Sequence, residues 1–286
     1  MDREVGQDST ATERVSPVYR LPGLSLRAAT VVVDLAVAQF LDWDRPTGRP
    51  KVLSVVAALR LTLCRLRRNA TYQDLSEDFG VGRSTAWNYH QEMVGFLADA
   101  LGCADDELPT LVAGRVCLVD GTLIPTVAWR HRRDLKSGKH RRHGVNVQLL
   151  VDLHGRLLAA SQAFPGSWHD VHCFRAAGWV RLVRQAGGAL GDLGYQGESD
   201  VIHVPIRKRP TVDLHSVERD INHSFACVRV AVEWGAAHLK NWRIATTRYR
   251  SDLTRLDVDI QAIVGLQKLN EQYAQRTLTY TRIKAA

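Results

Sequence analysis

The hydrophobic periodicity of this sequence changes near residues 103–109, and that change limits the folds open to the chain. Before it, apolar residues recur at helical spacing over 25–41 and 52–66, which predicts helices. The later patterns are strand-like runs at 116–120, 145–152, 157–164 and 189–192, and helical ones at 170–185 and 225–242. We therefore predict an all-α domain over 1–105 and a mixed α/β domain over 106–286.

Residues 71–101 have the pattern of two helices joined by a tight, glycine-containing turn. The first helix begins at a capping residue, Thr71, and stops at Gly80, while the second has Ser84 or Thr85 as its cap. This is the layout of a helix-turn-helix, whose second helix enters the DNA major groove, although any αα-hairpin in a helical bundle shares it. The side chains expected to contact DNA are Arg83, Ser84, Thr85, Asn88 and Gln91.

The chain is basic, with 38 Lys and Arg against 30 Asp and Glu and a formal net charge of +8. Such a charge attracts polyanions, whether phosphate backbones or anionic lipid headgroups. The cations are concentrated at 60–68, 130–142, 207–209 and 240–250. Such runs indicate anion-binding patches, although any single run equally fits a solvated surface.

No segment indicates export or membrane insertion. The N-terminus lacks a charged start followed by an apolar region, and no stretch approaches about 18 uninterrupted apolar residues. The 5 cysteines form no C-x-x-C pair, which argues against a zinc ribbon and a disulfide framework. We expect a cytoplasmic protein whose first twenty residues form a flexible arm or a loose first turn.

Three acidic residues stand where a catalytic metal site needs them. Asp120 closes the first predicted strand, Asp192 closes the last, and Glu233 lies on the basic helix predicted over 225–242. Mg²⁺ prefers oxygen ligands and usually takes one or two carboxylates per ion, so three acids can hold an ion pair for phosphoryl transfer on DNA. Each acid alone is an ordinary surface residue, and only the combination predicts a site.

The assignment of Glu233 to the site depends on the apolar periodicity of the predicted helix around it. Apolar residues recur at steps of three and four, and the predicted buried stripe is Phe225, Val228, Val232, Gly235, Leu239 and Trp242. Glu233 lies beside this stripe with Arg229 and Lys240 on its side of the helix, where both cations could contact a phosphate backbone. Other acids downstream of Asp192 stay open as alternatives: Glu198, Asp213 and Glu218.

Other chemistries match the sequence less well. His172 and Arg175 fit the H-x-x-R fragment of tyrosine recombinases, with Tyr195 as nucleophile, but the 11 histidines of the chain make such a match common. His140 and His143 could bind a metal, although a basic loop near DNA explains them more simply. No G-x-x-x-x-G-K-[ST] motif indicates an ATPase, and no His-hydrophobe-His pair indicates a rolling-circle nickase.

A series of short motifs follows one order along the chain. They are Val119-Asp120-Gly121-Thr122, His143-Gly144-Val145-Asn146-Val147-Gln148, Asp152-Leu153-His154-Gly155, Pro165-Gly166-Ser167-Trp168-His169-Asp170, Asp192-Leu193-Gly194-Tyr195, Arg229-Val230-Ala231-Val232-Glu233 and Leu239-Lys240-Asn241-Trp242-Arg243. Over about residues 52–250 this order resembles the DDE transposases, in the insertion-sequence and Harbinger-like group of DDE superfamily endonucleases.

The resemblance implies an RNase H-like catalytic domain, a mixed central sheet flanked by helices, preceded by a helix-turn-helix. It implies a catalytic and metal-binding triad of Asp120, Asp192 and Glu233. Asp170 matches the acid after the Pro-Gly-Ser turn and is a secondary candidate that either caps the following helix or supports the site.

The expected function is that of a nucleoid-associated DNA transposase that binds terminal inverted repeats through residues near 71–101. With two Mg²⁺ or Mn²⁺ ions, water would attack the scissile phosphate and the freed 3′-OH would attack target DNA. Pairing of two ends implies a homodimer or higher oligomer. The alternatives are a domesticated nuclease that no longer transposes and a catalytically silent DNA-binding regulator.

Overall fold

The computed structural model describes residues 19–43, 50–103, 106–129 and 131–284, with side chains as far as residue 273. Residues 1–18 of the predicted arm lie outside the described residues. The N-terminal helices are α1 (Leu26–Gln39), α2 (Val55–Arg68), α3 (Tyr72–Phe79) and α4 (Arg83–Leu101). The hydroxyls of Ser25 and Ser54 cap α1 and α2 by accepting hydrogen bonds from backbone N–H groups of the first turn.

Helices α3 and α4 form the predicted helix-turn-helix. Thr71 and Asp74 make a reciprocal capping box at the start of α3, and Gly80 ends it in the left-handed conformation with φ +64°. The predicted cap of α4 was wrong. Gly82 is its N-cap and makes no side-chain hydrogen bond, so Ser84 and Thr85 lie inside the first turn.

A mixed sheet follows the helical part. Its strands are β1 (Val116–Pro125), β2 (Lys136–Ser137), β3 (Arg142–Asp152), β4 (Leu157–Ala160), β5 (Phe164–Pro165) and β6 (Gly188–Leu190). β3 is antiparallel to β1 on one side and to the short strands β2, β5 and β4 on the other, whereas β6 is parallel to β1. An antiparallel β4–β3–β1 unit extended by a parallel strand is the connectivity of the RNase H-like fold, which confirms the predicted fold class.

Helices cover both faces of the sheet. The remaining helices are α5 (Leu108–Val112), α6 (Asp170–Ala176), α7 (Trp179–Val183), α8 (Ser216–Lys240) and α9 (Leu256–Lys284). The predicted helix 170–185 is divided into α6 and α7 by Gly178, whose φ is +73°. Because side chains alternate along a strand, Leu118 and Leu149 pack with α8, whereas Val119 and Leu150 pack with α6 and α7.

Helix α9 joins the two parts of the chain, which the sequence did not predict. It packs against α4, and one continuous hydrophobic cluster includes side chains from α1, α2, α4, the sheet, α8 and α9. Buried polar groups cross the same contact, because Asp259 lies 3.2 Å from His90 Nε2 and accepts a hydrogen bond from the Tyr249 hydroxyl (3.0 Å). Neither α9 nor any other described helix has the length and hydropathy of a membrane span.

Candidate active site

Asp120 lies within β1, and its side chain is on the face of the sheet that α8 covers. The sequence predicted that Asp120 closes a strand, but the strand continues to Pro125 because its pairing with β3 continues. The Asp120 side chain is 25% exposed, and a guanidinium nitrogen of Arg229 lies 3.7 Å from its carboxylate. Arg229 also donates to the backbone carbonyl of Val119 (3.3 Å) and so fixes α8 against β1 at this point.

Asp192 lies beside Asp120 because their strands are neighbours. β6 pairs in parallel with β1 so that Leu190 is opposite Leu118, and each aspartate follows two residues later along the chain. The sequence predicted that Asp192 closes this strand, but β6 ends at Leu190 and Asp192 lies in the turn that follows. The Asp192 carboxylate caps the 3₁₀ turn after β6, where it accepts a hydrogen bond from the backbone N–H of Gly194 (2.8 Å). This capped turn holds the second acid next to β1.

Glu233 is exposed on α8, one turn after Arg229. The predicted stripe beside it is buried only in its C-terminal half, at Val232, Gly235, Leu239 and Trp242. Phe225 is half-buried and Val228 is 41% exposed, so the prediction was wrong at Val228. The buried residues of α8 begin at Ala231, and the first half of the helix contributes none.

The pKa of Asp120 indicates that the acids influence one another. Burial of the carboxyl raises this pKa to about 6, against the opposing charge of Arg229. The negative charges of Asp192, Asp170 and Glu233 raise it further. Three other acids therefore act on the Asp120 carboxyl against one guanidinium, and a divalent cation would neutralise that surplus.

The donor set fits Mg²⁺ or Mn²⁺ in chemistry and in charge, because carboxylate oxygens are the ligands these hard cations prefer. Within the described ranges, no group of three or more His, Cys, Asp or Glu side chains is close enough to hold a metal ion. The carboxylates are neighbours rather than a closed set of ligands.

Asp170 lies on the opposite face of the sheet. It is the first residue of α6, its Oδ1 accepts a hydrogen bond from Asn146 Nδ2 (2.7 Å), and its Oδ2 is 3.4 Å from Lys139 Nζ. A Cβ placed on Gly121 would come within 2.1 Å of Asp170 Oδ1. The carboxylate therefore rests directly on the backbone of β1, one residue from Asp120.

The cavity beside Asp170 has a volume of about 240 Å³ and a basic rim. Lys139 and His140 lie on the turn between β2 and β3, opposite Trp168. Burial and neighbouring cations lower the pKa of His140. The cavity therefore combines the basic loop with the carboxylate of Asp170, and contact of this loop with DNA stays a prediction.

The tyrosine-recombinase alternative does not fit the structure. Tyr195 is fully buried, and its hydroxyl donates to Gln148 Oε1 (2.5 Å), so it cannot reach a DNA phosphate. Arg175, the arginine of the H-x-x-R match, forms an ion pair with Glu198 and donates to the carbonyl of Gly197 (2.9 Å). Sequence reasoning missed the buried role of Tyr195 because an isolated tyrosine carries no signal of its burial.

The start of α4 presents the predicted DNA contacts on one surface. Arg83, Ser84 and Asn88 are exposed, and Thr85 and Gln91 are half-buried. Trp87 belongs to the same surface, because its indole is 41% exposed and shares a cavity with Arg83 and Ser84. The guanidinium of Arg255 lies 6.0 Å from this ring.

The predicted cations of α8 have different surroundings. Arg229 is 16% exposed and faces Asp120, so it acts on the carboxylate site directly. Lys240 is exposed in the last turn of the helix. Only Lys240, of these two, presents its charge fully to solvent.

Comparisons with known proteins agree with this architecture. A family model described as DDE superfamily endonuclease matches residues 119–268, more than half of the chain, and one described as helix-turn-helix of DDE superfamily endonuclease matches residues 51–103. No curated protein matches the chain significantly.

Two solved structures are similar to the chain at low identity. One is the Mos1 mariner paired end complex with Mn, at 13% identity over 87% of this chain and 86% of that one, with a TM-score of 0.21. The other is the Mos1 transposase paired-end complex with left transposon end, at 13% identity over 81% and 80%, with a TM-score of 0.23.

Proposed function

The chain belongs to the DDE superfamily endonucleases, and on that basis we propose that it is a DNA transposase whose catalytic acids are Asp120, Asp192 and Glu233. The observation that carries the proposal is the meeting of β1, the turn after β6, and α8. Each contributes one acid, and burial together with the charges of neighbouring acids, Asp192 and Glu233 among them, raises the pKa of the Asp120 carboxyl. A surplus of buried negative charge is costly unless a bound cation compensates it.

We propose that the three carboxylates bind two Mg²⁺ or Mn²⁺ ions. When bound, such ions activate an attacking oxygen and stabilise a leaving oxygen in phosphoryl transfer. Arg229, at 3.7 Å, favours the ionised form of Asp120, because an opposite charge stabilises a carboxylate. Arg229 thus opposes the rise in the pKa of Asp120 that burial and the neighbouring acids cause.

The reaction we propose begins with water attacking the scissile phosphate at the end of the element. The new bond joins the water oxygen to phosphorus, the water gives up a proton to solvent, and the 3′-oxygen leaves and takes up a proton. The freed 3′-OH then attacks a phosphate of the target DNA, joins the element end to that phosphorus, and displaces the 3′-oxygen of the target strand. Because Tyr195 is buried, no covalent intermediate on that side chain is part of this scheme.

Recognition of the terminal inverted repeats is assigned in this proposal to residues 1–105, and cleavage to residues 106–286. The exposed start of α4 would enter the major groove, with Arg83, Ser84, Thr85, Asn88 and Gln91 as contacts. Lys240 would bind a phosphate of the same DNA. Arg229, predicted as a second phosphate contact, is mostly buried and faces Asp120, so this proposal assigns it to the carboxylate. Pairing of two ends would need a homodimer or a higher oligomer, acting on the nucleoid in the cytoplasm.

Cleavage of a labelled duplex tests this proposal. The duplex spans the junction between the inverted repeat beside the gene and its flanking DNA, and the full chain is incubated with it in Mg²⁺ or Mn²⁺. We expect cutting at the junction, none in excess chelator, and a loss of more than about 100-fold with Asp120→Asn, the scale expected when one positioned charge is removed from a reaction centre.

The matched control is Asp200→Asn, because Asp200 is an exposed aspartate paired with Arg184 away from the site. This variant should cleave like the unaltered protein. Cleavage that persists in chelator, or that Asp120→Asn leaves unchanged, would contradict the proposal.

A DNA-binding regulator without catalysis is the second candidate. The observation that favours it is the lack, among the described residues, of three acids close enough to hold a metal ion. Repeat-end binding without cleavage in either cation would support this candidate. Cleavage without joining would instead indicate a nuclease that no longer transposes.

A further inference from the structure

A chain of hydrogen-bonded side chains runs beneath the sheet on the face covered by α6. The Tyr195 hydroxyl donates to Gln148 Oε1 (2.5 Å), and Gln148 Nε2 donates to Asn146 Oδ1 (2.9 Å). Asn146 Nδ2 then donates to Asp170 Oδ1 (2.7 Å). Tyr195 and Gln148 are fully buried and Asn146 nearly so, which makes every member sensitive to the loss of its partner.

The Asp170 carboxylate at one end fixes the donor-to-acceptor direction of every hydrogen bond in this series. An ionised Asp170 can only accept, so Asn146 has to turn its amide NH₂ toward it. The amide oxygen of Asn146 then faces Gln148, which must also present its NH₂. The oxygen of Gln148 is left for Tyr195, whose hydroxyl keeps its proton because burial and the nearby acids raise the pKa of Tyr195.

We call the series of hydrogen bonds from Tyr195 through Gln148 and Asn146 to Asp170 the relay. It connects the segments that carry both aspartates of the proposed site. Tyr195 belongs to the turn that Asp192 caps, and Gln148 is the register partner of Gly121, the residue after Asp120. A Cβ on Gly121 would lie 2.1 Å from Asp170 Oδ1 and 3.0 Å from Gln148 Nε2. Only a residue without a side chain leaves room for the relay to cross β1.

Asp170 also reaches the Asp192 turn. A Cβ on Gly194 would lie 3.5 Å from Asp170 Oδ2 and 2.8 Å from Asp192 Oδ1. Asp170 therefore lies between the backbone beside Asp120 and the backbone beside Asp192. It approaches both from the face opposite to the one on which α8 contributes Arg229 and Glu233.

We propose that Tyr195, Gln148, Asn146 and Asp170 form a positioning network that sets the spacing of Asp120 and Asp192, an inference that rests on the proposed function. Asp170 acts in it as a hydrogen-bond acceptor at the end of the relay and not as a ligand of the cation. Its position across the sheet separates it from Asp120 and Glu233, which lie on the α8 face.

Mn²⁺ binding to the full chain without DNA tests this role, with free Mn²⁺ followed by electron paramagnetic resonance. Asp170→Asn keeps an acceptor for Asn146 and removes the charge, whereas Asp170→Ala removes both. We expect Asp170→Ala to weaken Mn²⁺ binding about 10-fold, as loss of a supporting partner does, and Asp170→Asn to weaken it no more than about 3-fold. Asp120→Asn should remove binding at that site.

Tyr195→Phe tests the other end of the relay, and Tyr249→Phe is its matched control. Both tyrosines are fully buried and each donates one side-chain hydrogen bond, but that of Tyr249 goes to Asp259 under α9. Both variants should lower the melting temperature, and only Tyr195→Phe should weaken Mn²⁺ binding, again about 10-fold.

Three results would overturn the network. They are an Asp170→Asn variant that loses Mn²⁺ as fully as Asp120→Asn, an Asp170→Ala variant that binds it normally, or equal Mn²⁺ affinities for the two tyrosine variants. Each of these leaves the proposed function intact as long as Asp120→Asn abolishes binding. Normal Mn²⁺ binding by Asp120→Asn would instead count against the proposed function itself.

Discussion

At the scale of single residues, the ionised carboxyl of Asp120 lowers the stability of the fold and is also the first proposed metal ligand. Its carboxyl is largely buried beside other acids, and burial raises its pKa from 3.8 to about 6. A folded-state pKa above the unfolded value means that the folded chain binds the proton more tightly. The contribution of Asp120 to stability is therefore fully present below about pH 4 and is lost as the pH rises through about 6.

Asp120→Asn should for this reason stabilise the protein at neutral pH while removing its activity. Without divalent cations, we expect equal stabilities of the two proteins near pH 4 and a gain of about 2–3 kcal/mol for the variant above pH 7. Urea unfolding at several pH values measures this difference, and Mn²⁺ should reduce it by stabilising only the unaltered protein. A variant that is less stable than the unaltered protein at pH 8 without cations would contradict the claim that the ionised Asp120 carboxyl destabilises the fold.

Gly121 is a second residue whose identity follows from its surroundings. The close approach of Asp170 leaves no space for a Cβ, so Gly121→Ala should cost about 1–3 kcal/mol in unfolding free energy, as overpacking does. Gly95→Ala is the control, because nothing lies within 4 Å of its Cβ position on α4, and it should raise stability by up to about 1 kcal/mol. Thermal denaturation compares them, and equal effects would argue against the packing at Gly121.

At the scale of secondary-structure elements, the sequence predicted the helix-turn-helix well because its signals are local. Thr71 and Gly80 mark the ends of α3, and both act as predicted. Asp120 was misplaced at a strand end because pairing with β3, not local sequence, decides how far β1 extends. Val228 was misassigned because helical periodicity does not tell where a supporting sheet ends.

The exposed start of α4 leads to a prediction about DNA binding. Arg83→Ala should weaken binding to a repeat-end duplex and lower the slope of log affinity against log salt by about 1, because one phosphate contact releases about one counterion. Its melting temperature should stay unchanged, since Arg83 is exposed. Titrations at several salt concentrations measure the slope.

Arg181→Ala is the matched control for Arg83→Ala. Arg181 is an exposed arginine on α7, across the sheet from α4. Its loss changes the net charge equally and should leave the slope almost unaltered. Equal slopes for the two variants would mean that DNA is attracted by overall charge and not by α4.

At the scale of the whole molecule, the helix-turn-helix and the mixed sheet share one hydrophobic cluster through α9. The sequence did not predict this contact, because the pairing of α4 with a helix more than 150 residues later leaves no local pattern. Collinear motifs predicted the family, the fold class and the neighbourhood of the acids. The relay under the sheet needed coordinates, since its polar members lie on three separate segments: β3, α6 and the turn after β6.

The shared cluster predicts that the chain unfolds as one cooperative unit. Asp259→Ala leaves His90 and Tyr249 without their buried partner and should cost about 3–5 kcal/mol. Hydrogen exchange should show the amides of α4 and α9 losing protection together. Asp252→Ala, which removes an exposed cap, should have a smaller effect, and independent unfolding of the two helices would contradict the prediction.

The proposal that Asp120, Asp192 and Glu233 bind the catalytic cation is tested by the anomalous scattering of Mn²⁺ in crystals of the full chain bound to a repeat-end duplex. We expect a Mn²⁺ peak within about 2.2 Å of carboxylate oxygens from both Asp120 and Asp192, with Glu233 completing the site and Asp170 outside it. A peak coordinated by other residues, or none at Mn²⁺ concentrations that support cleavage, would contradict it.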